Sequence, residues 1–251
     1  MRNLWLLLAG LLAAPLPAAE PDAGQAAYAA GDYVGAIERW QAQVIAEGAT
    51  AGRLAALGNA EWKLGRKGRA MVCWERALLL DPRNAVATAG IRHAQSAGGV
   101  ERPALTWAED YAGFLGANAW LVIATAAFWV ALLGLLIPRL RRRAPAEWQE
   151  KLVVAAATVF LLALPGLWGG HLHARRAVVR QTEVSLRLTP TARGEAIVGI
   201  AEGDVVRTDR AFNDYVRVTT AAGKTGWLQA REIESPWGGG LPANLDAPKA
   251  P

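Results

Sequence analysis

The chain has 251 residues, with 27 Lys/Arg against 22 Asp/Glu and a formal net charge of +5. The excess is local: residues 20–98 carry nine basic and eight acidic side chains and residues 183–234 seven and eight, so neither part offers the basic face that nucleic-acid binding requires. A single cysteine, Cys73, excludes an intrachain disulfide, and beside Trp74 in a helical run it reads as a small buried apolar filler.

Residues 1–19 have the parts of a secretory signal peptide: Arg2, the apolar run WLLLAGLLAA and the small-residue exit PLPAA. Cleavage is expected after Ala18 or Ala19, and no cysteine there supports a lipoprotein anchor. From Gln25 to Gln95 the chain repeats at a period of 34. Gly31, Ala36 and Trp40 return as Gly65, Ala70 and Trp74, and Tyr28 corresponds to Trp62. This predicts stacked helical hairpins over residues 20–98. In the clearer copy, 49–84, Gly58 and Ala70 are small where two antiparallel helices approach, and Leu54, Leu57, Ala77 and Leu80 form an apolar stripe. Asp81-Pro82 ends the second helix. The earlier copy, 17–50, is degenerate at Gln43 and Gly48, and a helix from Asn84 to about Ser96 completes the stack. About three repeats are needed for independent stability, so this domain is expected to lean on a partner, on the membrane or on self-association.

Residues 99–116 read as a Gly/Pro linker followed by an interfacial helix carrying Trp107, Tyr111 and Phe114. Residues 117–137 and 152–170 are free of charge over 21 and 19 positions, long enough to cross a bilayer as a two-helix transmembrane hairpin. The loop between them, 138–151, holds Arg139, Arg141, Arg142, Arg143 and Lys151 and is expected to stay in the cytoplasm. Trp120 and Trp168 are expected as anchors at the outer ends, with Trp148 in the loop. Trp129, in mid-span, is expected to touch the other helix, and Pro165-Gly166 to kink the second span. Arg175, Arg176 and Arg180 oppose this topology on the outer side, three against five. With an exported N-terminus, both flanking parts face the periplasm.

Residues 171–182 read as a juxtamembrane linker. His171 and His173 have the H-x-H spacing of a metal pair but no third ligand, and are expected at headgroup level. From 183 to 234 the pattern changes to period two. VSLRL, AIVGI, DVVRT, YVRVTT and GWLQA predict five short strands in a small all-β barrel, with TPTARGE, AEGD, RAFND and AAGK as turns. Asp209 and Asp214 fall in a turn and read as solvated. The tail, 235–251, rich in Gly and Pro, is expected to be disordered.

Three resemblances follow from these motifs. Leu57-Gly58, Gly65, Ala70, Ala77, Leu80 and Asp81-Pro82 stand where the tetratricopeptide (TPR) repeat has them. That resemblance implies a partner-binding concave side made by first helices, which by position carries Tyr28, Asn59, Trp62 and Lys63. Val184 to Arg187, Gly203-Asp204, Tyr215-Val216 and Gly223 to Trp227 resemble the bacterial SH3-type domain, whose members bind peptides or cell wall or serve as folded spacers. Gly223 permits the tight hairpin, Gly226 a close backbone approach. Tyr215 and Trp227 either line a groove or, for Trp227, close the barrel core. The order of signal peptide, TPR repeats, paired spans and SH3-type domain resembles the BatE family of aerotolerance-type gene clusters, which also encode MoxR-type ATPases and von Willebrand factor A proteins. It implies an envelope scaffold of the inner membrane in stress or oxygen tolerance.

The expectation is thus a multidomain membrane protein joining an all-α TPR array, a transmembrane hairpin and an SH3-like barrel. It would hold a protein partner and a peptide or wall ligand. The alternative is a wall-targeting factor that binds peptidoglycan and recruits a wall enzyme. No paired-carboxylate, Ser/His/Asp or Cys/His constellation, phosphate loop or metal cluster is legible, so neither catalysis nor a cofactor is expected.

Overall fold

The 34-residue period folds as antiparallel helical hairpins. In the computed structural model, which describes residues 22–142, 144 and 146–237, α1 (Ala23–Ala29) pairs with α2 (Tyr33–Glu47) and α3 (Ala51–Lys63) with α4 (Lys67–Leu80), and α5 (Ala85–Gly98) follows. Asp22, Asp32, Thr50 and Asn84 cap four of these helices through side-chain oxygens that accept first-turn N–H groups. Gly31 and Gly65, at φ +83° and +77°, turn the two hairpins in a region that a Cβ disfavours. Each hairpin closes on an indole laid against a glycine. A Cβ on Gly24 would fall 2.4 Å from Trp40, and one on Gly58 2.5 Å from Trp74.

The segment expected at the interface contains α6 (Trp107–Ala112), opened by a capping box between Thr106 and Glu109. It lies directly on the second long helix, where a Cβ on Gly169 would fall 1.8 Å from the Ala108 carbonyl oxygen. The long helices are α7 (Ala117–Leu140) and α8 (Glu147–Ala174), both longer than the predicted apolar runs, so the connection shrinks to residues 141–146. Both are long and apolar enough to cross a membrane. Only 17% and 22% of their apolar windows are buried, whereas the core helix of a soluble protein is mostly buried. Small residues line their contact: Ala124, Ala156, Ala163 and Gly166 are buried, and Gly166 receives the ring of Trp120. Trp120 is therefore a packing residue and not a lipid-facing anchor. It stacks on Tyr111 with centroids 5.0 Å apart and donates from Nε1 to the Ala112 carbonyl at 2.9 Å. Trp129 also departs from expectation. It is 52% exposed, edge-on to its neighbour Phe128 rather than against α8.

Seven strands replace the predicted five: β1 (Arg176–Val179), β2 (Val184–Arg187), β3 (Ala196–Ile200), β4 (Val205–Phe212), β5 (Tyr215–Thr219), β6 (Thr225–Gln229) and β7 (Ile233–Glu234). They pair antiparallel in the order β3-β2-β6-β5-β4-β1-β7, an open order with β3 and β7 at the edges, so hydrogen bonding does not close a barrel among the described residues. β1 occupies the predicted linker, and its four residues are all buried. The predicted RAFND turn is mostly strand, because Asn213, at φ 49°, turns the chain tightly enough for Phe212 to face Tyr215. Ala177, Leu186, Val206, Val218 and Leu228 fill the sheet's own core, while Val178 and Val205 belong to the core of the helical stack. The sheet therefore docks on the hairpins. The predicted signal peptide lies outside the described residues, as does the tail beyond Trp237. Of the tail, Pro236 is held by Arg76, whose Nε donates to its carbonyl at 3.2 Å.

Candidate functional site

Of the four helix residues expected to face a partner, three also serve the stack. Tyr28 lies edge-on to Tyr33 at 5.2 Å and 6.0 Å from Trp40. Trp62 lies 5.8 Å from both Trp74 and His93 and so joins the second hairpin to α5. Asn59 Oδ1 accepts from Trp74 Nε1 at 3.2 Å. Tyr28 and Trp62 stay half-buried, and Lys63 is exposed in the last turn of α3.

Tyr215 and Trp227 share the outward side of the sheet. Along β6 the neighbours Gly226 and Leu228 are buried and Trp227 half-buried, the alternation of a strand with one solvated face. A Cβ on Gly226 would fall 2.5 Å from Leu186, so the close approach is real, but Leu186 and Leu228 fill the core and the indole does not. In register, Trp227 stands between Arg217 of β5 and Arg187 of β2, with the Phe212 ring edge-on at 6.5 Å. Arg187 Nη1 is steadied by the Ala192 carbonyl at 2.8 Å, and Arg217 lies 4.0 Å from Asp209. Phe212 and Arg217 were not singled out in the sequence and Arg187 only as the end of a strand motif, although period two places both arginines on the side of Trp227.

A second constellation, also missed, joins the three parts of the chain. Glu109 of α6 is buried and receives Arg176 Nε of β1 at 2.8 Å, Arg207 Nη2 of β4 at 3.0 Å, and the backbone N–H of Thr106 at 2.7 Å. Burial works to raise its carboxyl, but the hydrogen bonds from Arg176 and Thr106 and the Arg176 charge hold it at about 2. On α4, the fully buried Glu75 pairs with Arg102 of the linker and lies 3.9 Å from His173 Nε2 of α8. Burial pushes its carboxyl up and Arg102 overrules it, leaving it below the usual range. The next residue, Arg76, donates to Glu234 of β7 at 2.8 Å, and Arg180 also pairs with Glu234. Arg176 and Arg180, which oppose the positive-inside pattern, thus have structural employment. The backbone joins in: Val205 N–H donates to the Glu101 carbonyl at 2.9 Å, and Asp204 accepts the Glu101 N–H at 2.8 Å.

Cys73 is buried, and burial pushes its thiol up to about 12, so it is neither nucleophile nor ligand at neutral pH. His171 and His173 diverge, the first toward Trp168 at 6.2 Å and the second toward Glu75. Among the described residues no three His, Cys, Asp or Glu side chains gather to hold a metal. Comparison with protein-family models, curated proteins and solved structures finds no match, so function is argued from this geometry alone.

Proposed function

We propose that the chain is a non-enzymatic scaffold of the bacterial cytoplasmic membrane. In this reading a TPR-type array and an SH3-type sheet stand together on the periplasmic face, as the BatE resemblance implies. The observation that carries the reading is the junction: two candidate ligand surfaces are coupled by buried ion pairs at one end of an apolar hairpin, not strung on a slack linker. A rigid coupling of this kind suits a protein that presents two bound partners at a fixed distance. The array takes a protein partner around Tyr28, Trp62 and Lys63, with Asn59 positioning the stack behind them. The sheet takes a peptide at Trp227, Phe212 and Tyr215. The outward aromatic pair also favours the wall-targeting reading, with a peptidoglycan fragment on the same face.

Full-length protein isolated with its neighbours from native membranes tests this directly. Trp227→Ala is expected to weaken the sheet's ligand by about 2 kcal/mol or more, roughly thirtyfold, as loss of an aromatic anchor does. Lys63→Glu should release the protein partner and leave the sheet's ligand in place. If the set of co-purified molecules, including retention on isolated wall sacculi, is the same for both variants as for the wild type, the scaffold reading fails.

Topology has its own check. Because Cys73 is buried and its thiol stays protonated, a cysteine-reactive probe sees little background. A membrane-impermeant maleimide added to intact spheroplasts should label Lys224→Cys in the β5–β6 turn and leave Ala144→Cys unlabelled until the membrane is opened. The reverse pattern would put the sheet in the cytoplasm.

A further inference from the structure

A cavity of about 310 Å³ lies between the end of α4, the linker, α6 and the outer part of α8. That is the lower range of small-molecule sites, about 300–1,000 Å³. Its walls are mostly apolar, from Leu79, Leu105, Phe114, Leu115 and Trp237, and on α8 it is bounded by Gly166, Gly170 and His173. We propose that it is a phospholipid site: one acyl chain enters the cavity and the anionic headgroup is held at Arg83. This rests on the membrane reading of α7 and α8.

The depth of the cavity supports a lipid occupant. Trp168 is 60% exposed, and Trp107 of the adjoining α6 is 71% exposed. Exposed indoles of this kind mark the headgroup boundary. Gly170 is two residues from Trp168 on the same helix, within about 3 Å along its axis, so the cavity straddles that boundary. Bare backbone at Gly170 leaves room for a chain, since a Cβ there would meet nothing within 4 Å.

Arg83 supplies a cation for the headgroup phosphate. It is exposed, and its guanidinium has no ion-pair partner among the described residues. The acids nearby are largely spoken for: Glu109 by Arg176 and Arg207, and Glu75, behind the wall, by Arg102. Asp110, and Asp81 whose Oδ1 accepts the Arg83 backbone N–H at 3.1 Å, stand at the aqueous edge, and Arg102 is already paired with Glu75, so Arg83 is the cation left to hold a lipid phosphate.

The full chain, reconstituted in nanodiscs of neutral lipid doped with phosphatidylglycerol and released for native mass spectrometry, tests the site. The wild type should retain one phosphatidylglycerol in preference to the neutral lipid. Gly170→Leu, which fills open space in a helix, should lose the retained lipid, and Arg83→Glu should lose the preference for the anionic head. Entry into the nanodisc reports separately on the membrane reading. No retained lipid in a wild type that enters the disc overturns the site, as does either variant retaining phosphatidylglycerol like the wild type. Retention of phosphatidylglycerol only after residues 238–251 are deleted would assign the space to the chain's own tail, and equally overturns it.

Discussion

Replacing Glu109 with alanine is expected to cost about 3–5 kcal/mol and to release the sheet from the apolar hairpin, because it leaves the fully buried Arg176 without its counter-charge. The size follows from asymmetry. A buried pair adds little over an apolar pair of the same shape, yet removing one member strands the other in a medium that solvates charge poorly. Glu109→Leu combined with Arg176→Met should therefore recover much of the loss. Arg207, whose side chain is 36% exposed, can turn to water in that double variant. The same carboxyl dictates a pH window. Its ordinary pKa of 4.5 is depressed to about 2 by folding, so its contribution is complete above about pH 4.5 and disappears as the pH falls from there toward 2. Glu75, also depressed, acts in the same direction. Protease cleavage in residues 99–106, followed in detergent against pH and denaturant, reads both effects. Unchanged protection in Glu109→Ala, or docking lost on raising the pH from 5 to 8, would refute the assignment.

The parts of this fold that obey a local period were legible in the sequence, and the joints between them were not. Gly31 and Gly65 marked the period, and they recur because a glycine rests comfortably at the positive φ of the hairpin turns, while Asp81-Pro82 announced a helix end. The apolar runs marked α7 and α8. Glu109 had a local signal, the Thr106 to Glu109 capping box, which predicts a helix start but says nothing of a carboxylate that also reaches two strands. Arg176 lies 67 positions from Glu109 and Glu234 lies 158 from Arg76, and no periodicity carries pairings at such separations. β1 was missed for a related reason. Four residues buried on both faces show no alternation, and between a long apolar helix and the first alternating run they read as a linker. Trp120 and Trp129 show the same limit: the exposed and the helix-packed indole carry the same letter, and the deciding partner, Gly166, is 46 residues from Trp120.

Trp74→Ala should be the most damaging change within the helical array, at about 3–5 kcal/mol, the usual range for emptying a buried aromatic site. Its indole is 1% exposed and touches two other helices: a Cβ on Gly58 of α3 would come within 2.5 Å of it, Asn59 of the same helix accepts its N–H, and a Cβ on Gly90 of α5 would come within 2.4 Å. Whole domains are stable by only about 5–15 kcal/mol, so this single loss takes a large share. The corresponding residue of the first hairpin, Trp40, is 3% exposed, packs on Gly24 and donates to Asp22 at 2.7 Å. Trp40→Ala removes a similar volume, yet the consequence should differ. In a stack whose units touch only their neighbours, loss at the end frays the end, whereas loss in the middle uncouples both sides. α4 also carries Glu75 and Arg76, the two side chains that tie the stack to the linker and to β7. Hydrogen exchange should therefore show Trp40→Ala confined to α1 and α2, and Trp74→Ala spreading through α5 into β1 and β7. Equal and local loss of protection in the two variants would mean that the stack and the sheet are not one cooperative unit, and the case for a rigid scaffold would go with it.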